Sequence, residues 1–205
     1  KTKIRYAMLI DLRRCIGCDT CTISCKAEAN VRLGAFRSYV NKVEKGTYPN
    51  VKRYFLPRLC NHCESSTCSL VCPTGATYER DDGIVMIEKD KCIGCRACME
   101  ACPYGARYFN WSDDQPGSTS RAVGTVDKCD MCVHRVDKGL VPSCVNSCPE
   151  NASIFGDIND PDSEISHMLA KNAVNTLLPD KGTQPHVFYI GLEDDAVKDA
   201  IEGGR

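Results

Sequence analysis

The chain has 205 residues and a mass of 22.6 kDa, enough for one large domain or two small ones. Lys and Arg number 26 against 27 Asp and Glu, and the formal charge of −1 excludes nucleic-acid binding by bulk charge. Hydrophobic residues make up 42% and charged residues 26%, as in ordinary globular proteins, yet 16 residues are cysteine.

No run reaches the roughly 18 apolar residues of a membrane-spanning helix, so no direct membrane span is expected. No leader-like apolar segment is expected near Lys1, and Arg13-Arg14 runs straight into Cys15 rather than into an apolar stretch.

An apolar run at 6–12 leads into the first cysteine group, Cys15, Cys18, Cys21 and Cys25, in CIGCDTCTISC. Residues 27–52 are polar, contain Gly46 and Pro49, and are expected to be an insertion. A second run at 53–59 leads into Cys60, Cys63, Cys68 and Cys72, in CNHCESSTCSLVCP, followed by Thr74-Gly75-Ala76. A third run at 84–87 leads into Cys92, Cys95, Cys98 and Cys102, in CIGCRACMEACP. Tyr104-Gly105-Ala106 and the β-prone Arg107-Tyr108-Phe109 follow it. Residues 110–121 hold Asp113, Asp114, Pro116 and Gly117 and read as a surface loop. A fourth run at 122–126 leads into Cys129, Cys132, Cys144 and Cys148, then Glu150-Asn151-Ala152 and Ser153-Ile154-Phe155. From Asp157 the sequence starts a helix, with Asp160 as cap, Pro161 in the first turn and an apolar stripe of Ile165, Met168 and Leu169. After Pro179 and Pro185, residues 186–190 suit a last strand.

Strand, ligand loop, short helix and strand make up the unit of a two-cluster ferredoxin. The expected fold is therefore α+β, with two bacterial-ferredoxin-like modules in one compact domain over 1–205. Motifs are expected near 4–30, 53–80, 84–110 and 122–156, insertions at 27–52 and 110–121, and a helix–strand tail at 157–205.

Groups one and three carry the C-x2-C-x2-C-x3-C spacing of bacterial ferredoxins. Three thiolates within seven residues can wrap three corners of a cubane, and the fourth cysteine ligates a neighbouring cluster. Gly17 and Gly94 suit so tight a loop. Groups two and four are stretched, but Pro73 and Pro149 follow their last cysteines as Pro103 follows that of group three. Lys26 stands in that place in group one. Group four alone permits structural zinc, which prefers two separated C-x2-C pairs. A disulfide framework belongs to short secreted chains, and four cysteines within eleven residues pair poorly. Iron–sulfur binding is the reading that covers all four groups.

Sixteen thiolates saturate four [4Fe–4S] clusters, so no iron is left open for a substrate. No phosphate-binding glycine loop and no nucleophile with an evident base occur. One-electron transfer is the remaining chemistry, and no catalytic site of its own is expected. Arg13, Arg14, Lys26, Lys91, Arg96, Arg107, Lys128 and Arg135 crowd the ligand loops, where they either raise reduction potentials or remain solvated. His62, between Cys60 and Cys63, is read as a neighbour of a cluster rather than a ligand. His134 is placed at a module edge, and His167 and His186 are read as structural. Trp111 is read as core packing, with a docking or quinone-contact surface as the alternative.

Over nearly its whole length the sequence resembles the four-cluster iron–sulfur subunits of molybdopterin (dimethyl sulfoxide reductase-type) oxidoreductases. RYAMLIDLRRCIGCDTCTISCKAE, LCNHCESSTCSLVCPTGA, KCIGCRACMEACPYGARYF and KCDMCVHRVDKGLVPSCVNSCPENASIFGD carry the resemblance, with DINDPDSEIS and GTQPHVFYI in the tail. The short stretch between groups three and four is most similar to the polysulfide, thiosulfate and arsenate reductase subgroup. The resemblance implies crossed ligation. Cys15, Cys18 and Cys21 would share a cluster with Cys148, and Cys129, Cys132 and Cys144 one with Cys25. Cys60, Cys63 and Cys68 would join Cys102, and Cys92, Cys95 and Cys98 would join Cys72. It also implies a molybdopterin catalytic subunit as partner, with molybdenum or tungsten, and a quinone-reactive membrane subunit or cytochrome. Such complexes face the periplasm, exported on the partner's twin-arginine signal, or stay cytoplasmic where the partner lacks one. A free soluble polyferredoxin serving several partners is the alternative.

Strands this short leave much of the core to the clusters, so cluster binding energy is folding energy here. Chelated, reduced protein is expected to lose its native circular dichroism; retention of the native spectrum would refute this.

Overall fold

The computed structural model describes residues 3–111 and 123–192. Most of the loop expected at 110–121, Ala122 of the fourth apolar run, and the tail beyond Leu192 lie outside the described residues.

Strand β1 (Tyr6–Asp11) is apolar without alternation because it is buried on both faces. It is the inner strand of a four-stranded mixed sheet ordered β8-β1-β10-β9. Strand β8 (Ser153–Asp157) pairs antiparallel to it, from Tyr6 opposite Asp157 to Ile10 opposite Ser153. Strand β10 (Val187–Ile190) pairs parallel to it, from Met8 opposite Val187 to Asp11 opposite Ile190. Strand β9 (Val174–Asn175) closes that edge. A parallel pair needs a long crossover; here all four cysteine groups lie on it.

Met8, Ile10, Val187 and Tyr189 face the main core, which includes Leu56, Leu59, Ile84, Met131 and several cysteines. Ala7, Leu9, Ile154 and Ile190 face the other way, onto Ile165 of helix α6 (Glu164–Lys171). That helix is capped by Ser163, whose Oγ accepts from the Ser166 N–H at 3.2 Å. The cap expected at Asp160 is displaced by three residues. Asp160 instead accepts from the Asp162 N–H at 3.0 Å and forms the preceding turn.

The stretch expected as a polar insertion at 27–52 is largely ordered as a ribbon. Strands β2 (Ser38–Thr47) and β3 (Asn50–Leu59) pair in register from Ser38 opposite Leu59 to Thr47 opposite Asn50. Polar cross-strand pairs hide the ribbon in the sequence: Glu44 opposes Arg53 and accepts from its Nε at 2.8 Å. The root of the ribbon is buried and its tip is exposed.

Each cysteine group begins just after a strand and ends in or beside a short helix. Helix α1 (Thr20–Glu28) carries Cys21 and Cys25, and α2 (Thr67–Leu70) carries Cys68. Helix α3 (Ala97–Glu100) carries Cys98. Helix α4 (Val133–Val136) follows Cys132, and α5 (Ser143–Asn146) carries Cys144. Two hairpins join consecutive groups: β4 (Thr77–Glu79) with β5 (Val85–Ile87), and β6 (Arg107–Phe109) with β7 (Val126–Lys128).

The third residue of the first C-x-x-C pair in each group is left-handed: Gly17 at φ +67°, His62 at 43°, Gly94 at +68° and Met131 at 52°. At Gly94 a Cβ would also collide with the Gly124 carbonyl oxygen, and backbone cannot easily yield. Gly94→Ala is therefore expected to cost the chain one cluster's share of iron and sulfide. Metal analysis with an unchanged iron content would contradict this.

Four cysteine quartets as candidate cluster sites

All sixteen cysteines are described, and none is in a disulfide. They come together across the chain rather than group by group. One cavity is lined by Cys15, Cys18, Cys21 and Cys148, with Val40 and Pro57 from the ribbon in its wall. A second is lined by Cys72, Cys92, Cys95 and Cys98, with Ile87 and Val126 from the hairpins. Cys63 has Cys60, Cys102 and Cys68 as electrostatic neighbours. Cys144 has Cys25 and Cys132, and Cys129 has Cys25 and Cys144. The fourth cysteine of each group thus stands with three cysteines of another group.

The quartets also neighbour one another. Cys98 lies near Cys68, Cys129 near Cys60, and Cys144 near Cys21. The series runs from 72/92/95/98 to 60/63/68/102, then 25/129/132/144, then 15/18/21/148. Burial grades along it: Cys25, Cys129, Cys132 and Cys144 are all buried, whereas Cys95 and Cys18, in the terminal quartets, are exposed.

Left as thiols, the more buried of these side chains resist ionisation. Burial pushes Cys21 up to about 11 and Cys63 to about 12. Cys129, Cys132 and Cys144 are also raised, again chiefly by burial. Backbone amides supply local relief: the Thr77 N–H donates to Cys72 Sγ at 3.5 Å, Met131 to Cys129 at 3.4 Å and Ala152 to Cys148 at 3.3 Å. Such donors favour thiolate and raise the potential of a bound cluster.

The surroundings fit an iron–sulfur group. Buried polar atoms without a hydrogen-bond partner among the described residues include Thr22 Oγ1, Asn61 Nδ2, His62 Nε2, Ser147 Oγ and Arg107 Nη2. Four of these five residues adjoin a cysteine in sequence or lie within a C-x-x-C pair. Orphaned buried donors are rare in folded proteins; cluster sulfide and thiolate sulfur are the acceptors that would satisfy them. Among the described residues, no three His, Cys, Asp or Glu side chains converge closely enough to hold a single metal ion. Zinc would need its sulfurs about 2.3 Å from one centre, whereas a four-iron cubane holds its thiolates farther apart.

Of the eight bases of the ligand loops, Arg14 is exposed, and the other seven divide sharply. Arg107 and Lys128 are buried. Arg13 pairs with Asp11 at 2.7 Å, Lys91 with Glu88 at 2.7 Å and Arg135 with Glu28 at 3.2 Å. Lys26 donates to the carbonyls of Arg32 and Ala35. Arg96 stacks over Phe109 and Trp111, 4.2 Å from each ring. Trp111 is 61% exposed, which corrects its reading as core: the guanidinium, not the interior, covers its ring.

His62 is fully buried, and burial followed by the charge of Lys128 holds its pKa well below the usual imidazole value. It is neutral, with Nδ1 accepting from the Val85 N–H at 3.1 Å. His186 accepts from Arg5 Nε at 3.0 Å and bonds the His62 carbonyl at 3.1 Å. His134 pairs with Glu28 at 2.7 Å on the surface. Sequence reasoning missed the Arg5–His186–His62 link, because its members lie in three distant segments.

Models of the 4Fe-4S dicluster domain match residues 10–76 and 51–158. The chain is 50% identical to a tetrathionate reductase subunit of Salmonella typhimurium, covering 93% of this chain and 74% of that protein. It is 45% identical to a putative dimethyl sulfoxide reductase iron-sulfur subunit of Halobacterium salinarum, covering 92% and 79%. It is 38% identical to the iron-sulfur subunit of the arsenate respiratory reductase of a Shewanella species, covering 91% and 96%. Among the described residues, no helix is long and apolar enough to cross a membrane. Sixteen cysteines in two dicluster domains fit four [4Fe–4S] clusters, and the chain belongs to the iron–sulfur electron-transfer subunits of the dimethyl sulfoxide reductase-type complexes.

Proposed function

We propose that this chain relays electrons between a molybdopterin catalytic subunit, holding molybdenum or tungsten, and a quinone-reactive membrane subunit or a cytochrome. The setting is anaerobic respiration at the periplasmic face of the membrane. The observation that carries the reading is the series of quartets, with one exposed cysteine in each terminal quartet and none in the two between. At those ends Ile93 is 67% exposed and Ile16 55% exposed, each beside the first cysteine of its loop. Apolar loops next to a redox site suit close protein contact, which shortens the electron's path to a partner. The middle quartets, buried or half-buried throughout, shield the path from water.

The ligand sets follow the same reading. Cys15, Cys18, Cys21 and Cys148 hold one cluster, and Cys25, Cys129, Cys132 and Cys144 the next. Cys60, Cys63, Cys68 and Cys102 hold the third, and Cys72, Cys92, Cys95 and Cys98 the fourth. Two ferredoxin-like modules, each with two clusters, account for the four strand–loop–helix units. A [4Fe–4S] cluster supplies a one-electron centre with every iron saturated by thiolate. The chain's own part is to present thiolates, donate backbone N–H groups to sulfur and exclude water.

Native anaerobic pull-down with metal analysis tests the assembly. A large partner carrying molybdenum or tungsten is the expected result; iron-rich protein recovered alone would favour a free polyferredoxin. Cys148→Ser tests the ligand sets. It is expected to change the electron paramagnetic resonance signal and midpoint potential of the cluster held by Cys15, Cys18 and Cys21. A change confined to the Cys129/Cys132/Cys144 cluster would sink the crossed arrangement.

A further inference from the structure

Arg107 opens β6 and is only 6% exposed. Its Nη1 donates to Thr77 Oγ1 at 3.2 Å, and its Nη2 has no hydrogen-bond partner among the described residues. Its main electrostatic neighbours are four cysteines: Cys68, Cys60, Cys98 and Cys102. Cys98 belongs to one quartet and the other three to the next. Thr77, which holds the guanidinium in place, also donates its backbone N–H to Cys72 of the Cys98 quartet.

Other buried cations are already engaged. Arg37, equally buried, is neutralised by Asp127 at 3.0 Å and Asp130 at 2.8 Å. Lys128 is turned onto the carbonyls of Val85 and Cys129. Arg107 has no carboxylate partner among the described residues, and a buried guanidinium without one is costly. The missing negative charge is what two thiolate-ligated clusters would bring, about −2 each in the oxidised state. Reduction adds one electron to a cluster and makes it more negative. A fixed cation within hydrogen-bonding reach therefore favours reduction. Guanidinium stays protonated throughout, so no proton need accompany the electron.

We propose that Arg107 is a cation shared by the 72/92/95/98 and 60/63/68/102 sites, and that it raises the reduction potentials of both. The proposal rests on the ligand sets given under Proposed function. It makes this half of the series an electrostatically coupled pair, set apart from the 25/129/132/144 quartet, where Asp130 stands beside Cys129 and Cys132.

The test is a redox titration of the full complex, followed by electron paramagnetic resonance, for the wild type, Arg107→Gln and Arg107→Lys. In Arg107→Gln two of the four midpoints should fall, each by at least a tenfold change in the one-electron equilibrium, about 59 mV. The other two should stay in place, and Arg107→Lys should recover most of the loss. The two that move should be those altered by Cys72→Ser and Cys102→Ser. An equal shift of all four, a shift of one alone, no shift, or a lysine variant as low as the glutamine variant would each overturn the proposal. If Arg107→Gln does not assemble its clusters, Thr77→Val decides. It unclamps the guanidinium and should lower the same two midpoints, and unchanged midpoints count against Arg107. Iron and sulfide analysis of the wild type separates the two claims. A chain holding fewer than four clusters, or cysteine variants that alter other sites, would overturn the ligand sets rather than the role of Arg107.

Discussion

A buried thiol resists losing its proton, and an iron–sulfur cluster takes only thiolates. Here quartets of cysteine, most of them buried or half-buried, are brought together, so iron must supply the charge that lets them ionise. This one constraint explains much of the architecture. The helices that carry ligands are mostly a single turn, and the hairpins between groups have three residues per strand. Such elements bury too little apolar surface to be stable alone. They are held by a small mixed sheet at one side and by the ligand sites themselves.

Charge follows from the same constraint. The formal charge of −1 counts no cluster, and four clusters add about −8. Three basic residues of the ligand loops, Arg13, Lys91 and Arg135, lie at the surface paired with carboxylates. A few cations are taken inside. Arg37 brings its own counter-ions, Lys128 leans on carbonyls, and Arg107 meets sulfur. The interior is therefore uneven electrostatically, which lets chemically identical cofactors differ in potential.

The ligand loops repeat more closely than their residues suggest. Gly17 and Gly94 mark the left-handed position of two C-x-x-C pairs. In the first pair of the other two groups His62 and Met131 occupy the same position with positive φ, and both side chains are fully buried. Backbone strain at a non-glycine residue persists only where the surroundings over-determine it. His62 is held by Val85, and Met131 is packed in the main core. The equivalence was invisible in the sequence because glycine, its usual marker, is absent from half the repeats.

Cysteine spacing is local, and a local pattern is legible without the fold. It was enough to determine the class of cofactor, the number of sites and the kinship of the chain. The apolar run at 6–12 likewise marked β1, because a strand buried on both faces shows as an unbroken run. What the sequence could not determine is what distant segments do together. The run at 53–59 marked the inner half of β3, but its partner β2 and the tip of the ribbon carry mostly polar residues and leave no periodic apolar signal. The cap of α6 moved to Ser163 because Asp160 was drawn into a turn. The meeting of Cys148 with Cys15, the order of the quartets and the burial of Arg107 against two of them depend on the crossover from β1 to β10. Only the tertiary structure decides these, since each unites side chains whose positions are set by packing rather than by neighbours in the chain.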